Sequence, residues 1–311
     1  MTGRRKMNMP NPASGFVQVN GIRLHYLDWG GSGPTLIFLT GMGSSAYIFN
    51  KFAPRFTDKF HVLALTRRGQ GDSDYPETGY DADTLTEDIR QFMDSLHVER
   101  AILAGHSLAG VELTHFAATY PTRVEKLIYL DALDDRRSLQ AIQQQNPLRN
   151  IEIKKEESSP HTFEEYIADM KRDFPYFAEI WSDLWEEEIS HNVKINEAGV
   201  FVDKMPTSVE KMMIENLIKG YIPKKVEAKI PNLIFYALGT PTLENGYTEE
   251  QKAAFDQYFR NVRGPILKSV ISEFQNRFPH AKVVEIRDGH HYCFMVQEEL
   301  VYSEMRKFLL E

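Results

Sequence analysis

The sequence predicts an α/β fold in which a mostly parallel central sheet is flanked by helices. Short apolar runs typical of buried strands alternate along the chain with segments of helical periodicity. Parallel neighbours need such helical crossovers, and right-handed crossovers cover both faces of a sheet. One long segment has apolar residues at helical spacing and contains no apolar run typical of a strand, which indicates a helical insertion.

Composition and charge limit the classes of function. The chain has 311 residues, 42% of them hydrophobic, and a net charge of −8. This balance argues against a nucleic-acid partner and favours a small-molecule substrate. The basic N-terminal stretch lacks the apolar run of a signal peptide and no membrane-spanning stretch follows, so we expect a cytoplasmic protein. The single cysteine, Cys293, excludes an internal disulfide, and no metal-ligand spacing or cofactor motif is present.

The strands are predicted from apolar runs of four to nine residues. The first two runs form an opening pair, and the others are separated by helices or by the insertion. The predicted strands are "FVQV", "IRLHYLDW", "TLIFLT" (35–40), "FHVLAL" (60–65), "AILAG" (101–105), "KLIYLD" (126–131), "IPNLIFYAL" (230–238) and "AKVVEI" (281–286).

Helices are predicted where apolar residues recur at helical intervals. The segment 84–96 begins with a threonine, Thr84, that we expect to be the N-cap, and a later helix runs through "VELTHFAATY" to Pro121. Further helices are expected within 248–278, and a closing helix at about 297–310.

The insertion is predicted at 133–225, which divides the core domain into 16–132 and 226–311. Its sequence is rich in Glu, Lys, Gln and aromatic residues at helical spacing. Such aromatic residues either form the insertion's own core or line a pocket for an apolar substrate. They are Phe163, Tyr166, Phe174, Tyr176, Phe177, Trp181 and Trp185.

The stretch "LAGHSLAG" (103–110) sets Ser107 two residues after one glycine and three before another. It lies where a predicted strand passes into a helix, the context of a nucleophile elbow. With "LTGMGSS", "TRRGQGDSD" and "DGHHYCF" after other strands, the chain resembles the α/β-hydrolase superfamily over nearly its whole length. The resemblance implies the α/β-hydrolase fold with an inserted helical cap above the nucleophile.

The resemblance assigns Ser107 as the nucleophile. The backbone N–H groups of Met42 and Leu108 would then form the oxyanion hole. Two departures from the usual pattern are small: Ala109 stands where glycine is usual, and Thr-Gly replaces His-Gly before Met42. Because the oxyanion donors are main-chain groups, we expect neither change to prevent catalysis.

The base is one of two adjacent histidines. Alignment of "EIRDGHHYCFMVQEEL" with the family's Gly-x-Gly-His tail, without gaps, places His291 at the catalytic position and His290 on the preceding glycine. We therefore predict His291 as the base, with His290 as a loop residue next to solvent. His106, beside the nucleophile, is predicted to be a packing residue of the elbow.

The acid is the largest departure from the family pattern. The usual loop reads "LGTPTLEN" and contains no aspartate. Some members of the superfamily, including haloalkane dehalogenases, carry the acid after an earlier strand, where this chain has Asp131. We predict Asp131 as the acid, although Asp131 could instead hold loop backbone. Glu244 is the alternative from the usual loop, and Asp134 and Asp135 also remain open.

A neutral serine nucleophile, a general base and a backbone oxyanion hole suit acyl transfer. The prediction is a carboxylesterase that cleaves the ester of a small apolar substrate through an acyl-enzyme, without metal or cofactor. Dehalogenases and epoxide hydrolases of this superfamily use an aspartate nucleophile, so Ser107 argues against both. A C–C bond hydrolase, a lactonase, a cofactor-free lyase or oxygenase, and a ligand-binding receptor on the same fold remain alternatives.

Overall fold

The computed structural model describes most of the chain. The described residues are 11–132, 142–151, 153, 158–226, 229–243 and 246–311. Three candidate acids, Asp134, Asp135 and Glu244, lie outside them. In the described part, no helix has the length and apolar character needed to cross a membrane.

The eight predicted strands form within a few residues of their expected positions, and two short strands are present besides them in the described residues. They are β1 Ala13–Val19, β2 Ile22–Gly30, β3 Thr35–Leu39, β4 His61–Leu65, β5 Ala101–His106, β6 Val124–Leu130, β7 Val193–Ile195, β8 Phe201–Asp203, β9 Asn232–Ala237 and β10 Lys282–Ile286. Eight of them form one sheet in the order β1-β2-β4-β3-β5-β6-β9-β10. The pairs β1–β2 and β2–β4 are antiparallel, whereas the remaining neighbours are parallel. This confirms the predicted α/β fold.

Helices connect the strands and surround the sheet. They are α1 Ala82–Ser95, α2 Ala109–Thr119, α3 Phe163–Asp173, α4 Asp183–Asn192, α5 Thr207–Met213, α6 Glu249–Tyr258, α7 Gly264–Arg277, α8 Cys293–Val296 and α9 Glu298–Leu310. Helix α1 begins earlier than predicted, and Asp81 is its N-cap rather than a threonine. The Asp81 carboxylate accepts a hydrogen bond from the Thr84 backbone N–H at 2.9 Å, which satisfies a donor of the first turn.

The core lies on both faces of the sheet. Ile37 and Leu39 of β3 belong to one apolar cluster, whereas Leu36 and Phe38 belong to another. Since successive side chains of a strand point to opposite faces, the two clusters cover the two sides. All six residues of β5 are buried, as expected for a central strand of a parallel sheet.

The segment between β6 and β9 is not purely helical. The antiparallel hairpin β7–β8, which the sequence analysis did not predict, connects α4 to α5. The Asn196 side chain accepts hydrogen bonds from the N–H groups of Ala198 and Val200, and Gly199 has a φ of +75°. A five-residue loop, 196–200, therefore reverses the chain where helical periodicity had suggested only helices.

Candidate active site

Ser107 occupies a strained turn between β5 and α2. Its φ is +54°, in the left-handed region that side chains other than glycine rarely adopt. A Cβ at Gly105 would lie 2.8 Å from the Cβ of Ala109, so the elbow has no room for two larger side chains. Ala109 is itself buried, which means that the elbow closes with alanine at the position where the family usually has glycine.

Asp131 and His291 meet although 160 residues separate them. The Nδ1 of His291 lies 2.5 Å from Asp131 Oδ2. Because a carboxylate only accepts, Nδ1 carries the proton in this contact, and Nε2 of a neutral ring is then the basic nitrogen. The structure thus brings together the two residues that the sequence predicts as acid and base.

The end of β9 holds Asp131 in place. Its Oδ1 accepts the Ala237 N–H at 2.8 Å, and its own N–H donates to the Phe235 carbonyl at 3.0 Å. Asp131 has a φ of +47°, which turns the chain sharply at the end of β6. The aspartate thus holds loop backbone and also contacts His291.

The peptide groups of His291 are fixed from two sides. Its N–H donates to the Tyr176 hydroxyl at 3.0 Å, and its carbonyl accepts from Nε2 of His106 at 3.1 Å. The rings of His106 and His291 lie 4.6 Å apart between centroids. Since His106 directly precedes Ser107, the strand that carries the serine also anchors the histidine loop.

His290 is buried rather than next to solvent. Only 7% of its surface is exposed, so the prediction of a solvated loop residue is wrong. Its Nε2 lies 3.0 Å from the Tyr176 carbonyl oxygen, and its Nδ1 accepts the Tyr292 N–H at 3.0 Å. The Tyr176 and His290 rings stack with centroids 4.2 Å apart. Burial lowers the pKa of His290 below its ordinary value.

The loop after β3 passes directly against the elbow. A Cβ at Gly41 would lie 2.8 Å from Nδ1 of His106 and 3.2 Å from the Ser107 Cβ. Glycine at this position therefore lets the backbone approach Ser107 closely, and Met42 follows it. Leu108 is buried and lies at the start of α2. Of the two residues predicted for the oxyanion hole, Leu108 therefore directly follows Ser107. Met42 directly follows Gly41, whose backbone lies against Ser107.

A buried ion pair between Arg67 and Glu112 holds the loop that follows β3. Arg67 donates to the Thr40 carbonyl at 2.8 Å and to the Gly41 carbonyl at 3.2 Å, and its Nε contacts Glu112 at 3.0 Å. Arg67 and Glu112 are both at least 96% buried. Carbonyl groups of the predicted oxyanion loop are therefore satisfied from the protein interior, and the loop conformation is fixed.

Helix α4 contributes a buried acid next to the same loop. Glu188 Oε1 accepts the Ser45 N–H at 2.9 Å and an Asn192 amide N–H at 2.7 Å. Burial raises the Glu188 pKa to about 7. The contact joins the segment between β6 and β9 to the loop that follows β3.

The aromatic residues of the predicted insertion divide into two groups. Phe177 and Trp185 contact Tyr292, the neighbour of His291, with ring centroids 6.0 and 5.4 Å away. Others are engaged within the insertion, such as the Tyr166 hydroxyl, which donates to Asp203 at 2.6 Å. Part of the aromatic set therefore packs on the histidine loop, and the rest stabilises the insertion.

The sequence analysis missed three residues near the site, Arg67, Glu112 and Glu188. It also missed that Tyr176 contacts the two histidines. Glu112 carried a signal, since it is a charged residue in the otherwise apolar "AGVELTHF". Tyr176 carried none, because its partners lie more than 110 residues away. Among the described residues, no group of three or more His, Cys, Asp or Glu side chains could hold a metal ion.

Comparisons with known proteins agree with this architecture. The model of a family described as the alpha/beta hydrolase fold matches residues 34–192. A 2-(acetamidomethylene)succinate hydrolase from Mesorhizobium japonicum is 39% identical over 101 residues, 32% of this chain and 36% of the relative. A soluble epoxide hydrolase from a Corynebacterium species is 35% identical over 115 residues, 37% of this chain and 40% of the relative. The matched stretches thus span less than half of these curated relatives.

Solved structures cover nearly the whole chain. An E-2-(acetamidomethylene)succinate hydrolase superposes with a TM-score of 0.69 at 21% identity, covering 96% of this chain and 100% of the other. A marine microorganism esterase superposes with a TM-score of 0.63 at 20% identity, covering 92% and 98%. At these identities the likeness concerns the fold.

Proposed function

The chain belongs to the alpha/beta hydrolase fold family, and on this premise we propose that it is a serine hydrolase with Ser107, His291 and Asp131 as its catalytic residues. Its reaction is the cleavage of a carboxylic ester, or a similar acyl bond, of a small apolar substrate. The observation that carries the proposal is the 2.5 Å contact between His291 Nδ1 and Asp131, in a loop that His106, the neighbour of Ser107 in the strained elbow, also contacts.

The proposed reaction has two halves. His291 Nε2 takes the Ser107 hydroxyl proton while the oxygen attacks the substrate carbonyl carbon, and the N–H groups of Met42 and Leu108 stabilise the oxyanion. The leaving alkoxide takes that proton from His291 as the C–O bond breaks, which leaves an acyl-serine. A water molecule, deprotonated by His291, then releases the carboxylic acid and restores Ser107.

We also propose that residues 133–225 act as a cap over this site. Support comes from the contacts of Tyr176 with the histidine loop and of Glu188 with Ser45. The aromatic side chains on Tyr292 favour an apolar substrate. A cap of this kind sets substrate choice through its shape, because the reacting groups all belong to the core.

A second candidate is a reaction like that of the relative named 2-(acetamidomethylene)succinate hydrolase, which is favoured by its 39% identity over 101 residues. The same three residues serve that alternative. Assays on activated esters of several chain lengths, lactones, β-diketones and 2-(acetamidomethylene)succinate distinguish the candidates. The substrate with the largest kcat/KM identifies the bond class.

Replacing Ser107 tests the proposal. In Ser107→Ala we expect no labelling by a fluorophosphonate probe and a loss of ester turnover of at least about 10³-fold, because the nucleophilic oxygen is gone. Circular dichroism serves as the control that the fold is retained. Undiminished turnover in this variant refutes the assignment of the nucleophile, and labelling of the unaltered protein without turnover favours a receptor.

A further inference from the structure

Tyr176 and His290 make a reciprocal contact that lies outside the three proposed catalytic residues. We propose that they form a clamp, the Tyr176–His290 clamp, which positions His291 from the side of the insertion and holds only while His290 is neutral. The proposal rests on the proposed function, since it concerns the base of that reaction. Tyr176 and His290 are positioning residues in it, because they act through His291.

The hydrogen bonds of His290 define its tautomer. The Tyr292 backbone N–H can only donate, so Nδ1 of His290 must accept it and carries no proton. The Tyr176 carbonyl can only accept, so Nε2 of His290 carries the proton. Protonation would place an N–H at Nδ1 against the Tyr292 N–H and break that bond. The clamp therefore requires the neutral Nε2–H form.

Tyr176 connects this pair to the base. Its hydroxyl accepts the His291 N–H at 3.0 Å, while its ring stacks on His290. The other anchors of His291 are His106 on its carbonyl and Asp131 on its ring, and both belong to the core. The insertion therefore holds the backbone of His291 through the hydroxyl group of Tyr176.

The groups around His290 act on its protonation in opposite directions. Burial is the largest effect and disfavours the charged ring, and His291 acts in the same direction. Glu179 and Asp131 favour the charged ring, as does the Tyr176 carbonyl. The pKa of His290 is lowered on balance, so the clamp is intact near neutral pH and opens in acid.

Tyr176→Phe tests the positioning role. It removes the acceptor of the His291 N–H and keeps the ring stack and the carbonyl. We expect kcat on an activated ester, and the rate of Ser107 labelling by a fluorophosphonate, to fall on the order of tenfold with little change in KM. The matched control is Tyr80→Phe, which also removes one hydroxyl contact with backbone, to the Pro76 carbonyl at 2.8 Å, and leaves both rates unchanged.

The pH profile provides a readout that a merely structural role would not move. In the unaltered protein we expect log kcat/KM to fall toward acid more steeply than protonation of the base alone allows, because protonation of His290 adds a fall on the order of tenfold, the effect of losing the Tyr176 contact. In His290→Asn the side-chain carbonyl can accept the Tyr292 N–H but cannot take up a proton, so the slope stays near one. This variant decides the question if Tyr176→Phe does not fold.

Two kinetic results overturn the clamp: a Tyr176→Phe protein with unchanged kcat, or a His290→Asn protein that keeps the steeper acid limb. Imidazole nitrogen chemical shifts test the clamp without any activity, and His290 in the Nδ1–H tautomer also refutes it. An unaltered protein that neither labels nor cleaves any ester refutes the proposed function instead. The nitrogen shifts then still decide whether the clamp exists.

Discussion

Asp131 uses both oxygens of its carboxylate at the candidate site. One accepts the Ala237 N–H, and the other accepts the proton on His291 Nδ1. Asparagine has a single carbonyl oxygen and cannot satisfy both donors. In Asp131→Asn we therefore expect kcat to fall about 10⁴-fold with little change in KM, measured by steady-state kinetics on an activated ester. Asparagine tolerates the φ of +47° at this position, so the fold should be retained.

The competing acid provides the control for that variant. Glu244→Gln should leave kcat nearly unchanged if Asp131 is the acid. The reverse pattern, an active Asp131→Asn and an inactive Glu244→Gln, would move the acid to the loop after β9. If both variants keep most of their activity, Asp134 and Asp135 become the residues to replace.

Ser107 also carries a cost in backbone strain. A left-handed φ of +54° disfavours any residue with a Cβ by about 1 to 2 kcal/mol, but not glycine. Both Ser107→Ala and Ser107→Gly lack the hydroxyl, so their comparison isolates the strain. We expect the glycine variant to be the more stable by about 1 kcal/mol, allowing for the greater freedom of glycine in the unfolded chain. A glycine variant that melts at a lower temperature than the alanine variant would show that the elbow is not strained.

At the scale of elements, Glu188 joins α4 to the loop after β3. Its pKa of about 7 lies above the ordinary value of 4.5 because the carboxyl is buried. Between these values the folded protein binds a proton that the unfolded chain has released. Stability is therefore highest at low pH with respect to this group, and falls as pH rises through that range. The total effect is on the order of 3 kcal/mol.

Replacing Glu188 tests this linkage. In Glu188→Gln the side-chain carbonyl can still accept the Ser45 N–H and the Asn192 amide, but the group no longer titrates. We expect the variant to gain stability relative to the unaltered protein as pH rises from about 5 to about 8. Urea denaturation at several pH values measures the difference. Parallel stability curves would mean that Glu188 ionises normally inside the fold.

The parallel sheet explains how the site is assembled in the whole molecule. The carboxyl ends of adjacent strands β3, β5, β6, β9 and β10 meet at one edge of the sheet. The loops and turns that leave these strands carry Gly41, Ser107, Asp131 and His291. Open α/β sheets place their sites at this edge, where several loops converge. Residues from four distant parts of the chain are therefore brought together by one architectural feature.

A further prediction is that the reaction at this edge of the sheet needs no metal ion. In the proposed reaction, the charge on the transition state is stabilised by backbone N–H groups and by His291 with Asp131. Ester turnover should therefore be unchanged after dialysis against a chelator. Loss of activity in chelator followed by recovery with a divalent cation would contradict the proposed mechanism.

The sequence by itself determined the fold class and most strand positions. Apolar periodicity reports which faces of a segment are buried, and this property is local. Small residues around Ser107 likewise indicate a tight turn, since the lack of space for side chains is local as well. The resemblance to the hydrolase superfamily also pointed to Asp131 and His291, whose contact the structure contains.

Only the tertiary structure decided the surroundings of these residues. The hairpin β7–β8 was not predicted because strands of three residues are too short to show a period. His290 was predicted to lie next to solvent because the residue that covers it, Tyr176, is distant in sequence. Glu188 likewise contacts Ser45 across 143 residues of sequence. Burial of a polar group depends on which distant element packs over it. That packing follows from the whole chain and leaves no signal in the nearby residues.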